Sequence, residues 1–363
     1  MIAEQYRKML DAKSVIRQLS EKATKRAQII GAENVFDYSL GNPSVPAPAE
    51  FKQALLDLIE KEDPMTLHGY SPTLGIPSVK TAIAESLNCR FDMNYGPEHI
   101  FPVSAAAAAI AHALRAVTVP GDEVLTFAPF FPEYHPYVDL TGAVLKVVPA
   151  DTKSFQINFE AFEEMLGPRV AVGLLVNTPN NPSGAVYSAE TLTKLAEVLT
   201  RKAEQYGHDI FLISDEPYRE IVFDGKQQPY VSKFYANTIS CYSFSKALSL
   251  PGERIGYLAV NPACPYAAEI VNMCGQISRG IGHNCPTSLM QLAVSKVLDL
   301  TSDFSVYEKN RNLLYECLTD CGFEVVKPEG TFYIFPKAPE ADAAAFCQKA
   351  LQYDLVLVPA DSF

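Results

Sequence analysis

Between about residues 98 and 260, short apolar runs alternate with stretches in which apolar residues recur every three or four positions. The runs Glu123–Phe127, Val144–Val148, Val172–Asn177, Ile210–Ser214, Thr238–Tyr242 and Ile255–Val260 are nearly continuous in apolar character. That pattern suits strands buried on both faces of a parallel α/β sheet. Helical periodicity predicts Ala105–Thr118, Phe159–Leu166 and Ala189–Tyr206 between them, the last opened by Ser188 as N-cap and stopped by Gly207. Residues 1–30 pattern as an amphipathic helix followed by a turn. Residues 33–49, ENVFDYSLGNPSVPAPA, hold too many prolines and turn formers for a regular helix. Helical periodicity returns over 284–320, and GFEVVKPEGTFYIFP beyond it predicts strands. The fold class is α/β. A large domain occupies the middle (46–270), and a smaller α+β domain draws on both ends, with an N-terminal arm at 1–45 and the remainder at 271–363.

The length of 363 residues accommodates two domains on one chain. No apolar run reaches the roughly 18 residues of a membrane span. The opening MIAEQYRKMLDAKSVIRQLSEKATKRA lacks the apolar stretch of a signal peptide, so a cytoplasmic protein with no membrane partner is expected. With 42 acidic against 30 basic side chains the formal charge is −12. A phosphate backbone needs a basic face, so no nucleic-acid partner is expected. The eight cysteines read as free thiols. Cys317 and Cys321 lie four apart on a predicted helix, but no second Cys/His pair at ligand spacing accompanies them, and no metal is expected.

In an open parallel sheet, ligands bind beyond the carboxyl ends of the strands. Three successive predicted strands run into NTPNNPSG, DEPY and SFSK. They bring Asn181, then Asp215 with Tyr218, then Ser243 with Ser245 and Lys246, to one rim. Arg254 follows eight residues after Lys246, across the Pro-Gly turn of ALSLPGER.

The stretch SFSKALSLPGERIGY resembles the cofactor-lysine motif of the class I/II aminotransferases, in the pyridoxal-phosphate (PLP) dependent fold-type I superfamily. GYSPTLG (69–75), SAAAAA (104–109), NNPSG (180–184) and SDEPY (214–218) agree in order and spacing, and the likeness runs from about residue 35 to the end of the chain. The resemblance implies a seven-stranded, mostly parallel sheet. It also implies PLP as cofactor, and transfer of the amino group of an L-amino acid to a 2-oxo acid.

Lys246 then corresponds to the lysine that binds the cofactor as a Schiff base and afterwards shuttles the substrate proton. Asp215 corresponds to the carboxylate against the pyridine nitrogen. Tyr218 and Asn181 correspond to the hydrogen-bonding partners of the phenolic oxygen. The phosphate falls to Arg254, Ser243, Ser245, Ser104 and the amides of Ala105 and Ala106 at a helix N-terminus. Phe131 matches the aromatic that stacks on the ring. Tyr70 matches the tyrosine sent across a homodimer interface to the neighbour's phosphate. Gly41 matches the glycine whose backbone lies over the substrate, and Arg279 is either an arginine from the partner that reads the substrate side chain or a solvent-exposed arginine of a helix or loop. Phe36, Tyr38, Phe332 and Tyr333 either line an apolar pocket or belong to the core.

Two departures from the family pattern stand out. The arginine expected to take the substrate α-carboxylate follows a V-P-x-x-S-F segment, and this chain reads LVLVPADSF and stops at Phe363; a segment beyond that point is the expected explanation. One subgroup reads acidic substrates with a lysine in the helix opening near Ser104, whereas Ala106 to Ala108 supply none. The same motifs would serve a C–S β-lyase. A PLP-fold sensor of a transcription regulator would need a basic DNA-binding domain ahead of the match.

Overall fold

The computed structural model describes residues 4–11 and 14–363. Its strands are β1 (Phe36–Asp37), β2 (Ile100–Val103), β3 (Glu123–Phe127), β4 (Val144–Val148), β5 (Val170–Asn177), β6 (Phe211–Asp215), β7 (Thr238–Ser243), β8 (Gly256–Val260) and β9 (Leu355–Val356). Seven of them form one sheet in the order β2-β8-β7-β6-β5-β3-β4. β8 runs against both of its neighbours, β2 and β7. The other pairings in the sheet are parallel.

The apolar runs form strands because both of their faces are covered. On β5 and β6, Val172, Leu175 and Ile213 turn into one core, with Ala109, Ala113 and Leu114 of helix Ala105–Val117 and Val271 of helix Ala267–Gly280. Leu174, Val176 and Leu212 turn the other way, against Leu192, Leu195 and Leu199 of helix Ala189–Tyr206. The two faces of the sheet thus feed two separate cores, and the register shift between Val172 and Leu174 on β5 switches which face the following residues take. Helix Ala189–Tyr206 begins and ends where the sequence predicts. The Ser188 hydroxyl accepts from the Thr191 amide at 3.1 Å, and Gly207 closes the helix in the left-handed region, with φ 71°.

The structure differs from the sequence-based expectations in four places. β2 was not anticipated: it is four residues long and contains Pro102, which is tolerated because β2 lies at the sheet edge and one side of its backbone needs no donor. Residues 322–336 do not form regular strands. They make only isolated bridges, Val222 with Gly330 and Val325 with Pro336, because Pro328 and Pro336 withhold ladder donors. The predicted helix at 1–30 is two helices, Glu4–Asp11 and Val15–Ile30, the second capped by Ser14; residues 1–3, 12 and 13 lie outside the described residues. The 284–320 stretch likewise contains two helices, Ser288–Val294 and Ser305–Asp320.

A second small sheet pairs β1 with β9 in parallel. Arg26 of helix Val15–Ile30 binds Asp354, just ahead of β9, with Nε 2.6 Å from Oδ1. Among the described residues, no helix is long and apolar enough to cross a membrane.

Candidate active site

Sheet register collects the predicted site residues on one rim. Val103 pairs with Gly256, Gly256 with Ser243, Cys241 with Asp215, and Asp215 with Asn177. β5, β6 and β7 therefore deliver Asn177, Asp215 and Ser243 where their carboxyl ends stop. The reversed β8 begins on that same rim, so Arg254, just ahead of it, lies there too. β2 ends beside Gly256 and hands over to Ser104. Gly256 has to be glycine: a Cβ there would run into the Tyr242 carbonyl and press on the Ala105 backbone.

Asp215 is buried at the end of β6. The Tyr134 hydroxyl donates to its Oδ2 at 2.7 Å, and the Asn177 amide donates to its main-chain oxygen at 2.9 Å. Its other carboxylate oxygen, Oδ1, is buried with no hydrogen-bond partner among the described residues. Burial pushes the carboxyl up to about 7, opposed by the Tyr134 hydrogen bond and reinforced by the Glu216 charge. Asn181 lies alongside, with Oδ1 also buried and unpartnered.

Lys246 sits on the single helical turn Phe244–Ala247, which Ser243 caps by accepting from the Ser245 amide at 3.1 Å. Its Nζ donates to the Gly41 carbonyl at 2.6 Å. The Phe332 and Tyr218 ring centroids lie 5.3 and 5.9 Å from that nitrogen. Burial first, and the Arg254 charge second, bring the ammonium down to about 8. The Tyr218 hydroxyl shares a hydrogen bond of 2.9 Å with Tyr333. A side chain on Gly41 would overlap the Tyr333 hydroxyl, so these residues close one compact aromatic pocket.

The remaining predicted residues fall into two groups. Ser243 and Ser245 share a hydroxyl hydrogen bond of 2.7 Å, and Arg254 donates to the Pro251 carbonyl at 2.8 Å. Ser104 opens helix Ala105–Val117 with no side-chain capping bond, and Ala105 and Ala106 are buried in its first turn. Ala105 stands in the left-handed region at φ 71°, where a Cβ is unfavourable. The Phe131 ring is edge-on to Tyr134 at 5.8 Å. Tyr70 and Arg279, by contrast, are exposed, and within this subunit neither side chain reaches the Lys246 pocket.

The sequence reading passed over Tyr134 and Asn177. Tyr134 reads as one more aromatic in APFFPEY, and Asn177 as the last residue of a strand. Nothing local to either marks it, because each acts through contacts with residues far along the chain.

Residues 33–363 match the family model for aminotransferase class I and II. The chain belongs to the class I and II aminotransferases. It is 29% identical to an aspartate aminotransferase of Thermotoga maritima, over 94% of this chain and 87% of that protein. It is 28% identical to aromatic-amino-acid aminotransferase 2 of Thermococcus litoralis, over 92% and 85%. A crystal structure of an aminotransferase from Eubacterium rectale superposes with a TM-score of 0.97 at 44% identity, covering 100% of this chain and 91% of that one. This is a PLP-dependent aminotransferase with the fold of the aspartate aminotransferases.

The residues present suit that cofactor. PLP carries a ring nitrogen that wants a buried carboxylate, a phenolic oxygen that wants neutral hydrogen-bonding groups, and an aldehyde that wants an amine of modest basicity. In this aminotransferase the rim offers Asp215 with a free oxygen, an unengaged Asn181 amide, and Lys246.

Proposed function

We propose that Lys246 carries PLP covalently and that the surrounding rim residues divide the tuning of its ring. The unpaired buried Asp215 Oδ1, with Lys246 and the Asn181 side chain on the same rim, supports this reading above all. Leaving a buried acceptor unmatched costs about 1–3 kcal/mol, and a ligand that donates to Asp215 Oδ1 recovers it. Once bound, the cofactor supplies an electron sink for the pair of electrons left at the substrate Cα.

The chain's own groups do the rest. Asp215 Oδ1 accepts the ring N–H and keeps that proton in place. Tyr218 and the Asn181 amide hydrogen-bond the phenolic oxygen. Lys246, freed when the substrate amine takes its place, would accept the substrate Cα proton at Nζ; an amine near 8 suits proton transfer close to neutral pH. Arg254, Ser243, Ser245, Ser104 and the amides of Ala105 and Ala106 anchor the phosphate, and Phe131 covers the ring face. Gly41 offers backbone over the substrate.

We further assign residues 46–270 to a large cofactor-binding domain, with 1–45 and 271–363 forming the smaller one. Tyr70 is fully exposed, and so are the apolar Leu56, Ile59 and Met65 on the two helices that precede it in the chain, which fits apolar surface covered by a second subunit. In that cytoplasmic homodimer Tyr70 completes the neighbour's phosphate site and Arg279 approaches its substrate. The substrates are an L-amino acid and a 2-oxo acid. Borohydride reduction followed by peptide mapping tests the core of the proposal. The expected result is a pyridoxyl group on Lys246, and its appearance on another lysine instead refutes the assignment.

A further inference from the structure

Asn177 connects Asp215 and Asn181, two rim residues each with a buried side-chain oxygen that has no partner among the described residues. It is the last residue of β5 and is buried. Its Nδ2 donates to the Asp215 carbonyl at 2.9 Å, with Asp215 Oδ2 at 3.4 Å. Its Oδ1 accepts the Asn181 main-chain N–H at 2.6 Å. One side-chain amide therefore uses both its donor and its acceptor end on the two neighbours. β5 and β6 share their last rung at Asn177 and Asp215, so beyond this point no ladder bond fixes the chain running on to Asn181. Without the amide, the Asn181 N–H would also lie buried with no partner.

We propose that Asn177 is a positioning residue that sets the spacing between the Asp215 and Asn181 side chains, and thereby matches opposite sides of the cofactor ring at once. The inference rests on the cofactor reading above. The Asn177 side-chain amide is engaged with Asp215 and the Asn181 main chain rather than held free for a ligand. It acts through Asp215 on the ring-nitrogen side and through Asn181 on the phenolic side. A buried asparagine that only tied off a strand end would affect stability alone. A positioning residue must also change how the bound ring titrates.

The test uses the PLP-loaded full-length protein as wild type, Asn177→Ala and Asn177→Ser. The serine variant keeps a buried hydroxyl that cannot reach both partners. Two properties are read: the pH midpoint at which the visible band of the lysine-bound cofactor shifts, and the 15N shift of a labelled ring nitrogen. In both variants the midpoint is expected to move by at least about half a pH unit and the ring nitrogen to become less protonated. A wild-type midpoint with a wild-type nitrogen shift in either variant overturns the proposal, as does a change in only one of the two. If neither variant captures PLP, near-UV circular dichroism of the apoproteins decides. A native spectrum supports positioning, and a lost one assigns Asn177 a purely structural role. Borohydride mapping of the wild type runs in parallel, so failure of the Lys246 assignment is seen separately.

Discussion

Replacing Tyr134 by phenylalanine removes one oxygen atom and leaves the ring packed against Phe130, its stacked neighbour at 6.2 Å. The lost contact is an O–H donated to a carboxylate at 2.7 Å, and a hydrogen bond to a charged group contributes about 1.5–3 kcal/mol. What remains at Asp215 Oδ2 is the Asn177 amide at 3.4 Å. Tyr134 stabilises the ionised carboxyl more than the neutral one, so its removal raises a group already pushed up to about 7. Each ~1.4 kcal/mol of differential interaction moves it by about one pH unit, so a rise of about one to two units is expected. Tyr137, Glu216 and Cys241 also interact electrostatically with this carboxyl and stay in place.

The effect on stability has a definite sign. A carboxyl raised in the folded state costs stability as pH climbs from its unfolded value through its folded one. The variant extends that loss to higher pH. Its deficit against wild type should be small at pH 5, where the carboxyl is protonated in both proteins. At pH 9 it should reach about 1.5–3 kcal/mol. Urea denaturation of the apoproteins at those two pH values measures it, and 13C-labelled aspartate follows the carboxyl directly. An equal deficit at both pH values, or an unmoved Asp215 titration, refutes the reasoning.

Arg254 depresses the Lys246 ammonium through its charge, so Arg254→Gln should move the pH at which apoprotein captures PLP upward. Stopped-flow capture rates across pH 6–10 give the inflection, and a downward or absent shift contradicts the assignment. At Ala105, φ 71° penalises any Cβ, and Ala105→Gly should stabilise the apoprotein by about 0.5–1 kcal/mol after glycine's own entropic cost. A lower urea midpoint in the glycine variant would show that the left-handed backbone is not strained.

Much of the rim was legible because its residues follow directly on apolar strands. Lys246 and Asp215 could be placed from SFSK and SDEPY, since parallel strands end on the same side of the sheet, whereas Arg254 of PGER reaches that rim because the antiparallel β8 starts there. β2 was hidden by its proline and its length. The expected strands at 322–336 were over-read, because alternating apolar residues there sit between prolines that deny them a ladder. Tyr134 and Asn177 were illegible for a different reason. Their partners lie 81 and 38 residues away, and periodicity carries no information about which buried polar atom meets which.

The bond from Lys246 to the Gly41 carbonyl spans 205 residues, and the Arg26–Asp354 bond spans 328. Bringing such distant segments together carries a larger loop-closure cost than joining consecutive strands. The order of assembly follows from this. During synthesis, Asn177, Asp215 and Lys246 can gather on their rim once the strands through β8 have left the ribosome, and domains form in the order they emerge. Tyr333 and the β9 partner of β1 arrive roughly 70 to 100 residues later. The rim is thus built early, and Tyr333 and the β1–β9 pairing join it only once the later segment has been made.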